Sequence, residues 1–210
     1  MIRRPPRSTL DRSSAASDVY KRQPKNSLRV SAGSVKGQRL LGTLSVQARP
    51  TTERVKAAIF NILNERVYFG QRILDLYAGS GSLGIEALSL GADWTDFVEK
   101  NSRQCSVIEE NLTRTGFQGK SKVHCGDSEK LLGVLSGPYS LVLLDPPYKM
   151  DGLMDVVRKI SRSPLLISES SCVVVGHSRH VELPEQVEEL TLKSHRQYGD
   201  NVVDFFSYGN

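Results

Sequence analysis

The sequence predicts an α/β fold: a doubly wound, mostly parallel sheet that ends in an antiparallel hairpin and carries a small hairpin-helix extension in front. Three observations predict it. From Arg72 onward, short apolar runs alternate with amphipathic stretches, and such alternation argues for parallel strands joined by helical crossovers on both faces. The string "GSGSLG" (79–84) stands where the first run hands over to a helix. The closing "EELTLKSHRQYGDNVVDFFSYGN" reads as two strands about the turn signal "YGDN".

In chain order, "LRVSAG" (28–33) and "RLLGTLSV" (39–46) are β-type runs that "SVKGQ" joins into a hairpin. In "RPTTERVKAAIFNILNERV", Thr51 or Thr52 is the expected N-cap, and Val55, Ile59, Ile62 and Leu63 keep helical spacing. "RILDLYA" is a strand, and "SLGIEALSLGA" is a helix stopped by Gly91. "DWTDFVEK" is a strand, followed by a helix over roughly 102–114. "SKVHCGD" is strand and turn, with a helix near 128–135 after it. "YSLVLLD" and "SCVVVGH" are strands on either side of a helix near 153–161. With the closing pair, the strands number seven.

Charge divides the chain. The net +5 breaks into +4 over residues 1–23, +6 over 24–66 and −5 over 67–210, so a cationic front end sits on an acidic body. That asymmetry suits contact with a polyanion. Residues 1–23 lack hydrophobic periodicity and an apolar central region, which excludes a secretory signal. They resemble translated sequencing-adapter read-through and are expected to be extraneous and disordered. The expected organisation is therefore a tail (1–23), a basic polyanion-contacting extension (24–66) and an α/β domain (67–210). Cys105, Cys125 and Cys172 are an odd, scattered set with no C-x-x-C pair, which fits buried thiols in a reducing, cytoplasmic setting better than disulfides or a metal site. No apolar run approaches the roughly 18 residues of a membrane helix.

The glycine string follows a strand and opens a helix, the context in which backbone amides approach a nucleotide. Glu99 ends the next strand and is placed to accept from ribose hydroxyls. Taken alone, this suits a nicotinamide or flavin dinucleotide as well as S-adenosylmethionine. Asp75, four residues before Gly79, favours the last, because a carboxylate suits an ammonium better than a pyrophosphate. Asp127 supplies another acid for an adenine amine, although Asp at a strand–helix junction also caps helices. Asp75, Glu99, Asp127 and Asp145 should converge at the carboxyl edge of the sheet.

"DPPY" (145–148) ends the fourth strand, since prolines cannot continue a ladder. With S-adenosylmethionine as cofactor, each residue type has a use. An exocyclic amine on a planar base is a weak nucleophile. Acceptors at Asp145 or the Pro146 carbonyl would localise its lone pair, Pro147 would stiffen the elbow, and Tyr148 would stack on the base. Preorganised positioning of this kind is worth about 7–11 kcal/mol in favourable cases. A base in structured nucleic acid must first be unpaired or flipped.

These motifs, together with "VSAGSVKGQRL", "RPTTERVKAAIFNIL", "VEKN" and "RQYGDNVVDFF", make the chain resemble the RsmD family of bacterial small-subunit rRNA guanine-N2 methyltransferases over nearly all of residues 28–208. The resemblance implies a seven-stranded, Rossmann-like class I methyltransferase sheet. It also implies methyl transfer from S-adenosyl-L-methionine to a guanine of 16S rRNA, in the small ribosomal subunit or its assembly intermediate, by a monomer. By motif, Asp145, Pro146, Pro147 and Tyr148 would hold the base. Asp75, Tyr77, Gly79, Ser80, Gly81, Gly84, Glu99, Lys100, Asp127 and Ser128 would hold the cofactor. Lys36, Arg39, Arg49 and Arg54 would engage RNA phosphates. The family usually has an acid where Gly176 or His177 stands. Other readings are an adenine-N6 methyltransferase, which shares the tetrad, and an inactive RNA-binding assembly factor. A protein-glutamine methyltransferase would more typically show Asn at 145, and an oxidoreductase has no use for the tetrad. His177, His180 and His195 lack evident acid partners in the sequence, and His124 reads as a buried strand residue.

Overall fold

The computed structural model describes residues 28–42, 53–63, 71–147, 150–163 and 171–209. Helix α1 (Glu53–Leu63) precedes the alternating body: β1 (Arg72–Leu76), α2 (Ser82–Ser89), β2 (Trp94–Glu99), α3 (Ser102–Thr115), β3 (Ser121–Cys125), α4 (Ser128–Leu131), β4 (Leu141–Leu144), α5 (Leu153–Ser161) and β5 (Cys172–Ser178). Strands β6 (Gln186–Val187), β7 (Leu190–Tyr198) and β8 (Asn201–Tyr208) complete it. The sheet order is β3-β2-β1-β4-β5-β8-β7-β6. Strands β1 to β5 pair in parallel, and β8 runs antiparallel between β5 and β7. The order reverses between β1 and β4, so their carboxyl ends form the switch point where a ligand crevice opens.

Strand alternation sends successive side chains to opposite faces. Ile73, Leu141, Leu143, Val174 and Phe205 pack with α1, α2 and α3, whereas Leu74, Val142, Val173, Val175 and Phe206 pack with α5. The central parallel strands β1 and β4 bury both faces, which explains their apolar runs.

Three expectations need correction. The sheet has eight strands among the described residues, because the two-residue β6 pairs with the start of β7; two residues are too short to show a period. Helix α4 stops at Leu131 instead of extending to 135, and a turn over 132–134 contains Gly133, a poor helix former. The front hairpin is a single antiparallel bridge, Arg29 to Arg39, beside bonds from Val30 N–H to Gln38 O (3.0 Å) and Leu40 N–H to Leu28 O (2.8 Å). Residues 43–46 and the capping Thr51 and Thr52 lie outside the described residues.

The front end is bolted to the body by buried polar contacts. Lys56 Nζ lies 2.7 Å from Glu86 Oε2, with both side chains almost fully buried. Lys56 also donates to Arg29 O, and Glu86 accepts from the Ser31 and Ala32 amides. At Gly33 (φ 81°), a Cβ would lie 1.9 Å from Ser89 O, so only glycine permits this approach. The Asn111 side chain accepts from Leu41 N–H (2.7 Å) and donates to Leu41 O and Ser80 O (3.0 and 2.9 Å). One residue thus joins the front segment to the glycine loop.

At the amino end of the sheet, Asp96 is a second buried polar centre. Its Oδ2 accepts from Arg72 (3.0 Å), Trp94 Nε1 (2.9 Å) and Tyr139 OH (2.8 Å), and its Oδ1 faces His124 Nε2 (2.8 Å). Burial and the Asp96 carboxylate both raise the Tyr139 phenol above its usual range, so the hydroxyl keeps its proton and donates.

Candidate active site

The chain leaves β1 through Tyr77, at φ 59°, and turns through Gly79 (φ 57°) and Gly81 (φ 75°). These left-handed positions favour glycine, and they aim the loop at the switch point. Glu99, at the end of β2, accepts from Gly79 N–H (3.0 Å) with one oxygen and from Asn101 N–H (2.8 Å) with the other. It therefore fixes the loop while keeping lone pairs for a further donor. A Cβ on Gly81 would meet Ile108 and Phe97 at 3.1 and 3.3 Å.

Asp75 is 1% exposed, and its Oδ2 accepts from Gly84 N–H at 2.9 Å. Burial drives its carboxyl well above the usual range. The Gly84 amide opposes this, and the nearby Asp145 and Glu99 charges add to it. Asp145 and Glu99 are thus both close enough to act on the Asp75 carboxyl, a crowding that a cationic ligand would relieve. Gly84 has a packing duty: a Cβ there would stand 2.3 Å from the Phe97 ring. Its missing side chain lets α2 lie against β2.

Asp127 sits apart from that trio. It caps α4 by accepting from Glu129 N–H (3.2 Å) and pairs with Lys100 at 3.4 Å. The Lys100 ammonium is the main cause of its lowered carboxyl pKa. Ser128 is buried at the start of α4. Burial and the Glu129 charge push the Tyr77 phenol up to about 12.

Asp145 leaves β4 half-buried, followed by buried Pro146 and exposed Pro147. Burial raises its carboxyl to about 7, in the range where a group can both accept and release protons at neutral pH. A Cβ on Gly176 would meet Asp145 Oδ1 at 2.7 Å. The departure from the family's usual acid therefore leaves room for this carboxylate. A small cavity adjoins it, walled by Val55 and Ile59 of α1, Leu83, Gly176 and Asn201. Tyr148 lies outside the described residues.

Lys36, Arg39 and Arg54 are exposed on the front end, and Arg49 lies outside the described residues. Arg54 adjoins Val55 of the cavity wall, which brings the extension to the Asp145 edge. Among the described residues, no three His, Cys, Asp or Glu side chains gather to hold a metal ion. No described helix is long and apolar enough to cross a membrane.

Sequence reasoning missed an acid between two histidines. Asp204 Oδ2 lies 2.9 Å from His177 Nε2, and Asp204 Oδ1 lies 2.7 Å from His195 Nδ1. His177 Nδ1 faces Ser178 O at 2.9 Å. A carbonyl and a carboxylate both accept, so these contacts favour a His177 ring protonated on both nitrogens. Burial works against that charge, but Asp204 and Ser178 outweigh it and raise the pKa. Antiparallel register was the available signal: β7 sets His195 opposite Asp204, and β5 sets His177 opposite Val202, two residues away.

The chain is similar to known proteins along most of its length. The family model described as "Conserved hypothetical protein 95" matches residues 28–207. YlbH of Bacillus subtilis (strain 168) is 37% identical over 176 residues, covering 82% of this chain and 94% of that protein. Ribosomal RNA small subunit methyltransferase D of Escherichia coli (strain K12) is 30% identical over 143 residues, covering 68% and 71%. The solved structure of the Escherichia coli protein yhhF superposes with a TM-score of 0.76 at 25% identity, covering 88% of this chain and 99% of that one.

Proposed function

From the premise that the chain belongs to the Conserved hypothetical protein 95 family, the RsmD methyltransferases, we propose that it methylates the exocyclic N2 amine of a guanine in small-subunit rRNA, using S-adenosylmethionine. The observation that carries the reading is Asp145, an acid raised to about 7 at the switch point beside the glycine loop. The relatives' name supplies the rRNA class; the site chemistry supplies the amine.

S-adenosylmethionine, when bound, supplies an electrophilic methyl on a cationic sulfur. The crowding of Asp75, Asp145 and Glu99 suits a ligand that brings positive charge. The amides of the glycine loop and the free lone pairs of Glu99 suit its nucleoside part, with Tyr77, Ser80, Lys100, Asp127 and Ser128 around it. Ionised Asp145 accepts from the amine and localises its lone pair, and the Pro146 carbonyl offers a second acceptor. As the N–C bond formed and the methyl–sulfur bond broke, leaving its electron pair on a neutral thioether, the amine would become acidic and its proton would pass to Asp145 and on to solvent. Tyr148 is assigned to base stacking from the tetrad. Lys36, Arg39, Arg49 and Arg54 would neutralise RNA phosphates, and α1 would hold that contact next to the reacting amine. On this reading residues 24–66 are the RNA-contacting part and 67–210 the catalytic domain, acting as a monomer in the bacterial cytoplasm.

The test is to incubate the protein with radiolabelled S-adenosylmethionine and unmethylated small subunits, then digest the RNA to nucleosides. Labelled N2-methylguanosine is the expected product. Labelled N6-methyladenosine would replace this reading with the adenine one, and no label would oppose both.

A further inference from the structure

We propose that Asn201 is the residue that admits guanine and refuses adenine, by accepting the ring N–H beside the amine to be methylated. The inference rests on the methyl-transfer reading above. Asn201 is 9% exposed. Its Oδ1 is buried and, among the described residues, has no hydrogen-bond partner. A buried acceptor without a donor is costly, and on a residue that lines a site it is explained by a donor that arrives with the ligand.

The register places the residue. Asn201 pairs with Ser178, and Val203 with Gly176, across β5 and β8. Paired residues share a face, and alternate residues return to it. Asn201 therefore lies on the face toward which a Gly176 side chain would point, where a Cβ would meet Asp145 Oδ1 at 2.7 Å. Asp145 and Asn201 flank Gly176 at the carboxyl end of the sheet, and the glycine leaves the gap between them open. Both line one cavity of about 10 Å³, room for about one water. A base would thus present an edge atom to it, with its ring outside.

The chemistry of the two purines then decides. Next to its exocyclic amine, guanine carries a ring N1–H donor, whereas adenine carries a bare N1 acceptor. Acceptors at Asp145 and Pro146 serve either amine and cannot tell them apart. A buried carbonyl oxygen at Asn201 can: guanine N1–H satisfies it, and adenine N1 leaves two acceptors opposed. Sites built around such a hydrogen bond reject analogues lacking the donor far more strongly than sites that read shape alone.

The experiment uses small subunits reconstituted with either guanosine or 2-aminopurine riboside at the methylated position. 2-Aminopurine keeps the C2 amine but has no hydrogen on N1. Single-turnover transfer from radiolabelled S-adenosylmethionine is measured for the wild type, Asn201→Ala and Asn201→Asp, with cofactor Kd by calorimetry on each. The wild type should prefer guanine by about 100-fold or more. Asn201→Ala should lose most of that preference with cofactor Kd within about twofold, and Asn201→Asp, which keeps an acceptor, should retain it. A wild type without preference, or an Asn201→Ala protein that keeps it, overturns the proposal and leaves the methyl-transfer reading standing. A wild type that methylates neither base brings down the methyl-transfer reading, and this one with it.

Discussion

Asp96 and Asp145 stand on neighbouring parts of one sheet and are treated in opposite ways. Asp96, at the amino end, is enclosed by four side-chain partners: Arg72, Trp94, Tyr139 and His124. Asp145, at the carboxyl end, is half-buried near Asp75, and its carboxyl is raised to about 7 by burial. A fully satisfied buried network rigidifies. A carboxylate in an unfavourable setting is held ready for something that relieves it. The same residue type is enclosed by four donors at one end and stands near a second buried carboxyl at the other.

The largest effect expected from breaking this contrast is at the scaffold end. Asp96→Ala leaves the Arg72 guanidinium and the buried Tyr139 hydroxyl without their acceptor. Each buried donor left unsatisfied costs about 1–3 kcal/mol, and several lose their acceptor together, so the urea midpoint should fall markedly. An unchanged midpoint would show the network to be dispensable.

Next in size is Gly84→Ala, which drives a methyl to within 2.3 Å of the Phe97 ring. Overpacking costs about 1–3 kcal/mol, and thermal unfolding should register it. The variant should lose stability before it loses amine chemistry, because Gly84 packs against the sheet.

The carboxyl end should announce itself by pH. On the proposed mechanism ionised Asp145 is the working form, so single-turnover methyl transfer should climb about tenfold per pH unit below about 7 and level off above it. Stability should move the other way. A carboxyl raised on folding contributes stability that is fully present below its unfolded pKa and is lost as pH rises through about 7. A flat rate profile between pH 6 and 8 (bounds set by roughly one unit on either side) would detach Asp145 from the rate.

The smallest effects belong to the exposed cations. Arg39→Ala or Arg54→Ala should each lower RNA affinity modestly and reduce the slope of log affinity against log salt by about 1. A slope that stays the same would remove that residue from the RNA contact.

How much of this was legible in the sequence follows from the range of each interaction. The parallel strands and the glycine string could be read because a period of two or 3.6 and a strand–loop–helix order are local. The pairing of Asp75 with the Gly84 amide also stays within nine residues. Lys56 looked like any cation on an amphipathic helix. Its burial depends on Glu86, thirty residues on, and on the Arg29 carbonyl. Asp204 looked like a lone acid in a strand until register set it between two histidines. Asn201 sat inside a turn signal, and its buried oxygen has no signature short of the assembled sheet edge.

The most direct test of the contrast between the two ends is a paired measurement on Asp145→Asn. Cofactor affinity by calorimetry and single-turnover methyl transfer to small subunits would be read on the same preparation. The account predicts cofactor affinity within a few-fold of wild type and transfer slowed by about 10²–10³, because the change removes the charged acceptor and leaves the loop, Glu99 and the Asp96 network in place. Transfer at the wild-type rate with cofactor bound would contradict it.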